Sequence, residues 1–228
     1  MMFSFLCWVM RFVTGTYLIG CFRVTGREQV PRRGPLLVCA NHASTIDPPM
    51  VPAFLPRRDS WSMAKSEYFA KKNFTSWIFT KYHAFPVRRH SADRRALTRA
   101  FDELKAGHAL ILYPEGTRVE SGGLVKAEPG AGFIAQLSGA PVLPVALIGT
   151  RECFHKGSRL PRRVPVELRF GRPFKVRKRA PDGSRIDRQD ATDAIMLRIA
   201  ELLPEAMRGE YGDLIGLRHR LDHVYEPG

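Results

Sequence analysis

Six short apolar runs separated by helical stretches predict an α/β fold, a mixed and mainly parallel sheet flanked by helices. Two of the runs, LLVCA and ALILY, are apolar throughout rather than alternating, as strands buried on both faces must be. Composition agrees. Of 228 residues, 44% are hydrophobic and 25% charged, ordinary globular usage that excludes a disordered, collagenous or coiled-coil chain. No repeat, low-complexity stretch or long linker divides the chain. One domain is therefore expected over residues 23–228, preceded over residues 1–22 by a helical segment at a membrane interface.

That first segment, MMFSFLCWVMRFVTGTYLIGCF, is mostly apolar and carries one charge, Arg11. A signal peptide needs an early positive charge and a small-residue cleavage site, and neither is present. A spanning helix would hold Arg11 near its middle, at a cost of about 3 kcal/mol. A helix lying in the interface lets Arg11 snorkel to the headgroups and suits Trp8 and Tyr17 to the aromatic belt. An ordinary core helix is the plainer alternative. The interfacial reading is preferred.

The strands follow as Leu36–Ala40, Trp61–Ala64, Ala84–Val87, Ala109–Tyr113, Val142–Ile148 and Val164–Phe170. The clearest helix begins after Ser91 as N-cap and stops at Gly107. It repeats Ala92, Ala96, Leu97, Ala100, Phe101 and Leu104 on one face. Two more helices are expected over Gly130–Leu137 and Asp190–Met207. Cys7, Cys21, Cys39 and Cys153 lack any CxxC spacing and read as buried thiols in a reducing compartment.

In such sheets ligands gather at the carboxyl ends of the strands, and the chemistry-bearing residues fall there. His42 follows LLVCA directly, and Asp47 precedes Pro48 and Pro49 as the expected N-cap of a helix. Residues five apart on one helix point about 140° apart, so this pair meets only across a strand–turn–helix junction. There Asp47 would fix the imidazole tautomer and leave the other nitrogen as a base. That is two thirds of a hydrolytic triad, without an obvious nucleophile. A histidine that merely caps a turn is the bland alternative. Asn41 and Ser44 add polar groups to the same turn.

After ALILY comes YPEGTR, residues 113–118. Gly116 would let backbone approach an anion, Arg118 can fork onto a phosphate, and Glu115 could orient it or bind a hydroxyl. A surface turn fits the same letters. The run AFPV ends in Arg88 and Arg89, a pair suited to phosphate, and Pro144 closes the loop segment that leads into the strand around Val145.

Together and in this order, these blocks resemble the phospholipid and glycerol acyltransferase family, specifically the 1-acylglycerol-3-phosphate acyltransferases. The Asn-His-x-Ser-x-x-Asp block is met at Asn41, His42, Ser44 and Asp47. FPVRR is similar to the second block, whose arginine best matches Arg89, with Arg88 where an acid is common. YPEGTR is similar to the third, with Glu115, Gly116, Thr117 and Arg118, and Pro144 falls in the fourth. One departure is that LVKAEPGAG runs two residues longer than the family's usual stretch after the third block.

The resemblance implies acyl transfer from acyl-CoA or acyl-carrier protein to the free hydroxyl of a lysophospholipid, foremost 1-acylglycerol-3-phosphate. Lyso-ornithine lipid is an alternative acceptor. His42 and Asp47 would be catalytic, and Asn41, Ser44, Arg88, Arg89, Glu115, Gly116, Thr117, Arg118 and Pro144 would bind substrate. No bound cofactor and no metal are expected, because His83, His90, His108, His155, His219 and His223 lack ligand spacing.

The net charge is +14, which implies an anionic partner. Residues 156–190 concentrate it, with twelve Lys or Arg against four Asp or Glu. An anionic membrane surface or the acidic carrier protein would answer to it. A nucleic-acid partner is not expected, since few aromatics interleave and no recognition block is present. The expected location is a bacterial cytoplasmic membrane, on its cytoplasmic face, by monotopic or peripheral attachment. A thioester hydrolase built on His42 with Ser44 and a non-catalytic lipid-binding protein are the rivals.

Overall fold

Seven strands form one sheet in the computed structural model, which describes residues 1–71, 73–88, 93–155 and 157–226. They are β1 (Phe22–Thr25), β2 (Leu36–Ala40), β3 (Ser60–Lys65), β4 (Ala84–Val87), β5 (Ala109–Leu112), β6 (Val142–Ile148) and β7 (Val166–Phe170). Their order is β1-β7-β6-β2-β5-β3-β4. The five strands from β6 to β4 are mutually parallel, while β7 runs antiparallel to β6 and β1 parallel to β7. The sheet is mixed and mainly parallel.

All five residues of β2 are fully buried, and they alternate between two cores. Leu37 and Cys39 face a core built with α4 (Arg94–Lys105), α5 (Gly130–Ser138), α7 (Arg188–Ala200) and α8 (Leu214–Leu221). Leu36, Val38 and Ala40 face α2 (Asp47–Phe54) on the other side, while α3 (Phe74–Lys81) precedes β4 and α6 (Thr150–Cys153) follows β6. Each such leucine or valine stabilises the fold by roughly 1.5–3 kcal/mol. Helices on both faces explain why this run does not alternate in polarity.

The limits of β3, β5 and β7 shift by one or two residues, and three further boundaries differ from expectation. The cap of α4 is Asp93, whose carboxylate accepts from the Ala96 amide. The expected cap, Ser91, and Ala92 lie outside the described residues. The third expected helix stops at Ala200, before Pro204, instead of continuing to Met207. Strand β1 carries only four residues at the sheet edge, and its first, Phe22, was expected in the N-terminal segment. That placement is corrected: the helix α1 (Met2–Tyr17) ends before it, and Phe22 is already in register with Val166.

Helix α1 packs Phe3, Cys7 and Thr14 inward against α2 and leaves Phe5, Trp8, Phe12 and Tyr17 exposed on another face. The Arg11 Nε donates to the Ala53 carbonyl in the last turn of α2, which needs a donor there. Among the described residues, no helix is long and apolar enough to cross a membrane.

The C-terminal part, which no block covers, belongs to the same core. Gly132 on α5 lies so close to α7 that a Cβ would stand 2.5 Å from the Arg188 carbonyl oxygen and 2.6 Å from the Thr192 nitrogen. Tyr211 then accepts the Ala127 amide and donates to Asp193, tying the loop after β5 to α7.

The basic stretch is divided rather than gathered on one face. Residues around Pro161, which accepts from the Tyr17 hydroxyl, lie beside the end of α1. The run 175–179 instead follows Phe174, which pairs with Val142 at the start of β6, the opposite end of the sheet from His42. There Arg177 donates to the Tyr225 carbonyl and Arg179 to that of Gly183.

Candidate active site

Strand β2 ends at Ala40, and the chain turns through residues 41–46 before α2 begins. His42 and Asp47 meet across that turn, Nδ1 to Oδ2 at 3.0 Å. The same Asp47 oxygen accepts the amides of Ala43 at 2.8 Å and Ser44 at 2.7 Å. Asp47 is the first residue of α2 rather than its N-cap. Pro48 and Pro49 follow it and have no amide to satisfy, so the carboxylate turns back to residues 42–44. Asp47 is fully buried and His42 8% exposed, so one edge of the imidazole is held and the ring still reaches solvent.

Because β2 and β5 are neighbours, Leu37 beside Leu110, the YPEGTR stretch arrives next to this turn. The Tyr113 ring lies on the imidazole at 4.5 Å between centroids. Sequence reasoning missed Tyr113. The signal was its position at the end of a fully buried strand, beside the strand that carries His42. Its hydroxyl is buried without a hydrogen-bond partner among the described residues, as is Asp47 Oδ1. Burial, with the Asp47 charge adding to it, raises the Tyr113 pKa well above its usual value, so the phenol stays neutral.

Glu115 was expected to face substrate, and the structure corrects this. Its carboxylate is buried and accepts the His42 amide at 2.7 Å and the Val125 amide. Burial raises its pKa to about 7, against the pull of those two amides. The His42 carbonyl in turn accepts the Val119 amide at 2.9 Å. The loop after β5 thus holds the His42 backbone from both sides.

Asn41 is committed in the same way: its amide donates to the Leu147 carbonyl and accepts the Leu147 amide, lacing β2 to β6. It clamps the sheet instead of meeting substrate. The Ser44 hydroxyl donates to the Phe154 carbonyl and is no nucleophile in this arrangement. Pro144 is buried within β6, in register with Cys39, three residues short of the site, so its substrate contact is also corrected.

Gly116 has φ +68, the left-handed conformation that glycine adopts without strain, and Thr117 is exposed. Arg118 is half-buried and makes no hydrogen bond or ion pair to the described residues. Arg88 stands at the end of β4, three strands from β2, roughly 14 Å by strand spacing. Its side chain is exposed and lies 3.8 Å from Asp93. The structure does not bring it to His42, and Arg89 lies outside the described residues.

A buried imidazole–carboxylate pair beside an uncommitted guanidinium can take a proton from an alcohol while an anionic group nearby is gripped. A solved structure titled 1-acyl-sn-glycerophosphate (LPA) acyltransferase, PlsC, from Thermotoga maritima matches with a TM-score of 0.66 and 27% identity, over 86% of this chain and 79% of that one. A chloroplastic 1-acyl-sn-glycerol-3-phosphate acyltransferase of Brassica napus is 27% identical over 59% of this chain and 39% of its own. A lyso-ornithine lipid O-acyltransferase of Pseudomonas aeruginosa is 31% identical over 58% of this chain and 49% of its own. The chain thus spans half or less of the length of these two curated relatives. The family model described as Acyltransferase matches residues 21–148, from the residue before β1 through the last residue of β6, and so takes in His42, Asp47 and Arg118; the chain belongs to that family.

Proposed function

We propose that the chain transfers a fatty acyl group from a thioester donor, acyl-CoA or acyl-carrier protein, to the hydroxyl of a lysophospholipid, with 1-acylglycerol-3-phosphate as the acceptor. The observation that carries this reading is the 3.0 Å contact between His42 Nδ1 and Asp47 Oδ2 at a strand's carboxyl end. With Nδ1–H donating to Asp47, Nε2 is the basic nitrogen. It takes the acceptor's hydroxyl proton as the oxygen attacks the thioester carbonyl. The C–S bond then breaks, and the imidazolium returns the proton to the leaving thiolate. No acyl-enzyme is required, and the occupied Ser44 hydroxyl speaks against the hydrolase rival.

Arg118 holds the acceptor's phosphate, a role supported by its making no hydrogen bond or ion pair among the described residues. Attachment to an anionic membrane surface draws support from the stacked, exposed Phe5, Trp8 and Phe12 and from exposed Leu160. Arg159, Arg162 and Arg163 flank Leu160 beside the end of α1. The lipid-facing end is then the end that carries His42, as a lipid acceptor requires.

The test is a purified-protein assay with acyl-CoA or acyl-carrier protein as donor and 1-acylglycerol-3-phosphate as acceptor, products read by mass spectrometry. Wild type should form phosphatidic acid, and His42→Ala should lose about 10²–10⁴ in rate. Wild-type turnover by His42→Ala removes His42 from the mechanism.

A further inference from the structure

We infer that Arg151 is a further catalytic residue, whose guanidinium receives the negative charge that develops on the thioester oxygen as the acceptor attacks. The inference rests on the acyl-transfer reading and adds a group which that reading lacks, a hydrogen-bond donor for the oxyanion.

General-base attack creates two charges at once. His42 becomes an imidazolium, which the Asp47 carboxylate answers at 3.0 Å. The thioester carbonyl oxygen becomes an oxyanion, which needs its own fixed donor. The guanidiniums of Arg118 and Arg151 make no hydrogen bond or ion pair with the described residues. They reach the catalytic turn from opposite sides, because β5 and β6 flank β2 on its two edges. Arg118 follows β5 and Arg151 follows β6. With Arg118 on the acceptor's phosphate, Arg151 is left for the thioester.

A cavity of about 250 Å³ gives that guanidinium its place. Ala43, the residue after His42, lines it together with Gly122, Leu147, Thr150 and Arg151. Pockets for whole drug-sized ligands run from about 300 to 1,000 Å³, so this one admits only an end group.

Two features fix Arg151 relative to the base. The Ser44 hydroxyl donates to the Phe154 carbonyl, just past the end of α6, and so ties that helix to the turn. Gly122 lies against the guanidinium, where a Cβ would stand only 2.5 Å from Nη1. Its φ of +88 asks for glycine as well. The Thr150 hydroxyl, in a residue 1% exposed, adds a second group in the wall with no partner among the described residues. An unpaired buried hydroxyl is costly, which favours a substrate oxygen that bonds it.

The acceptor oxygen bonds to the thioester carbon while its proton passes to His42 Nε2. The carbonyl π pair moves onto the oxygen beside Arg151, which keeps its own protons throughout. The pair then returns, the C–S bond breaks, and the imidazolium protonates the leaving thiolate. Arg151 binds this transition state more strongly than either substrate, so its loss lowers kcat and spares KM.

The test is steady-state kinetics of purified wild type, Arg151→Ala, Arg151→Lys and Gly122→Ala, with each substrate varied in turn. Arg151→Ala should lower kcat about a hundredfold or more, while KM for acyl donor and acceptor stays within about threefold. Arg151→Lys keeps the charge and should recover about tenfold of that loss. Gly122→Ala should displace the guanidinium and lower kcat about tenfold, with no further loss when added to Arg151→Ala. Wild-type kcat in Arg151→Ala overturns the inference. So does a loss confined to KM, which would make Arg151 a binding group. Should thermal unfolding show that Arg151→Ala does not fold, wild-type kcat in both Arg151→Lys and Gly122→Ala overturns it, and lowered kcat at unchanged KM upholds it. A wild type that transfers nothing from acyl-CoA or acyl-carrier protein overturns the acyl-transfer reading itself.

Discussion

Glu115 accepts the backbone amide of His42 across 73 residues of sequence, at 2.7 Å. The acid of the third block therefore acts on the histidine of the first through the main chain. Glu115→Ala should leave the His42 and Val125 amides unsatisfied, costing about 1–3 kcal/mol each and misplacing the imidazole. Denaturant unfolding and kcat should fall together. Glu115→Gln keeps an acceptor oxygen and separates the effect of charge from that of the hydrogen bond. Burial raises the folded-state pKa to about 7 from 4.5, so the wild type binds an extra proton between those values. Its contribution is fully present below pH 4.5 and is lost as pH rises to about 7, by roughly 3 kcal/mol at most. Stability profiles of Glu115→Gln should lack that decline; an identical slope in both proteins would show that another group causes it.

Asp47 has a double task that its position explains. One oxygen accepts two backbone amides and the imidazole, so it folds the turn and orients the ring with the same atom. Asp47→Asn should lower kcat by about 10²–10⁴ through loss of the imidazolium's counter-charge. KM for the acceptor should change far less. A loss confined to KM would mean that Asp47 serves binding alone.

Arg118 offers the complementary split. Arg118→Ala should raise KM for 1-acylglycerol-3-phosphate about tenfold, the worth of one charge-assisted hydrogen bond. Initial rates across acceptor concentration read it directly. An unchanged KM assigns the phosphate to another cation.

Much of this was legible in the sequence because buried parallel strands announce themselves by unbroken apolar runs. Leu36–Ala40, Ala84–Val87 and Val142–Ile148 match their expected limits residue for residue. Strand β1 was not legible, since four half-exposed residues at an edge carry no such pattern. The meeting of His42 and Asp47 followed from a turn between strand and proline-led helix. What the sequence concealed were the partners of polar atoms. Asn41, Ser44 and Glu115 look like ligand-binding groups, yet each is taken by backbone from a distant strand, loop or helix end. Only three-dimensional neighbours decide whether a polar side chain is available.

Helix α7 is part of the domain's foundation, and Gly132 tests this. A methyl group there must push α5 and α7 apart, because the nearest atoms are backbone. Gly132→Ala should cost about 1–3 kcal/mol despite alanine's better helix propensity. Thermal unfolding reads it, and a stabilised variant would mean that the two helices can part freely.

The outward face of α1 separates membrane contact from folding. Phe5, Trp8 and Phe12 are 56%, 58% and 57% exposed, so replacing all three with serine removes little packing. Arg11, by contrast, is bound to Ala53, and Arg11→Ala should loosen α1 from α2. Sedimentation with vesicles containing anionic lipid should weaken about tenfold or more in the triple variant, at unchanged thermal stability. High salt should weaken it further, because Arg159, Arg162 and Arg163 would supply a screened electrostatic share. Equal sedimentation of wild type and triple variant would mean that the aromatic face meets something other than lipid.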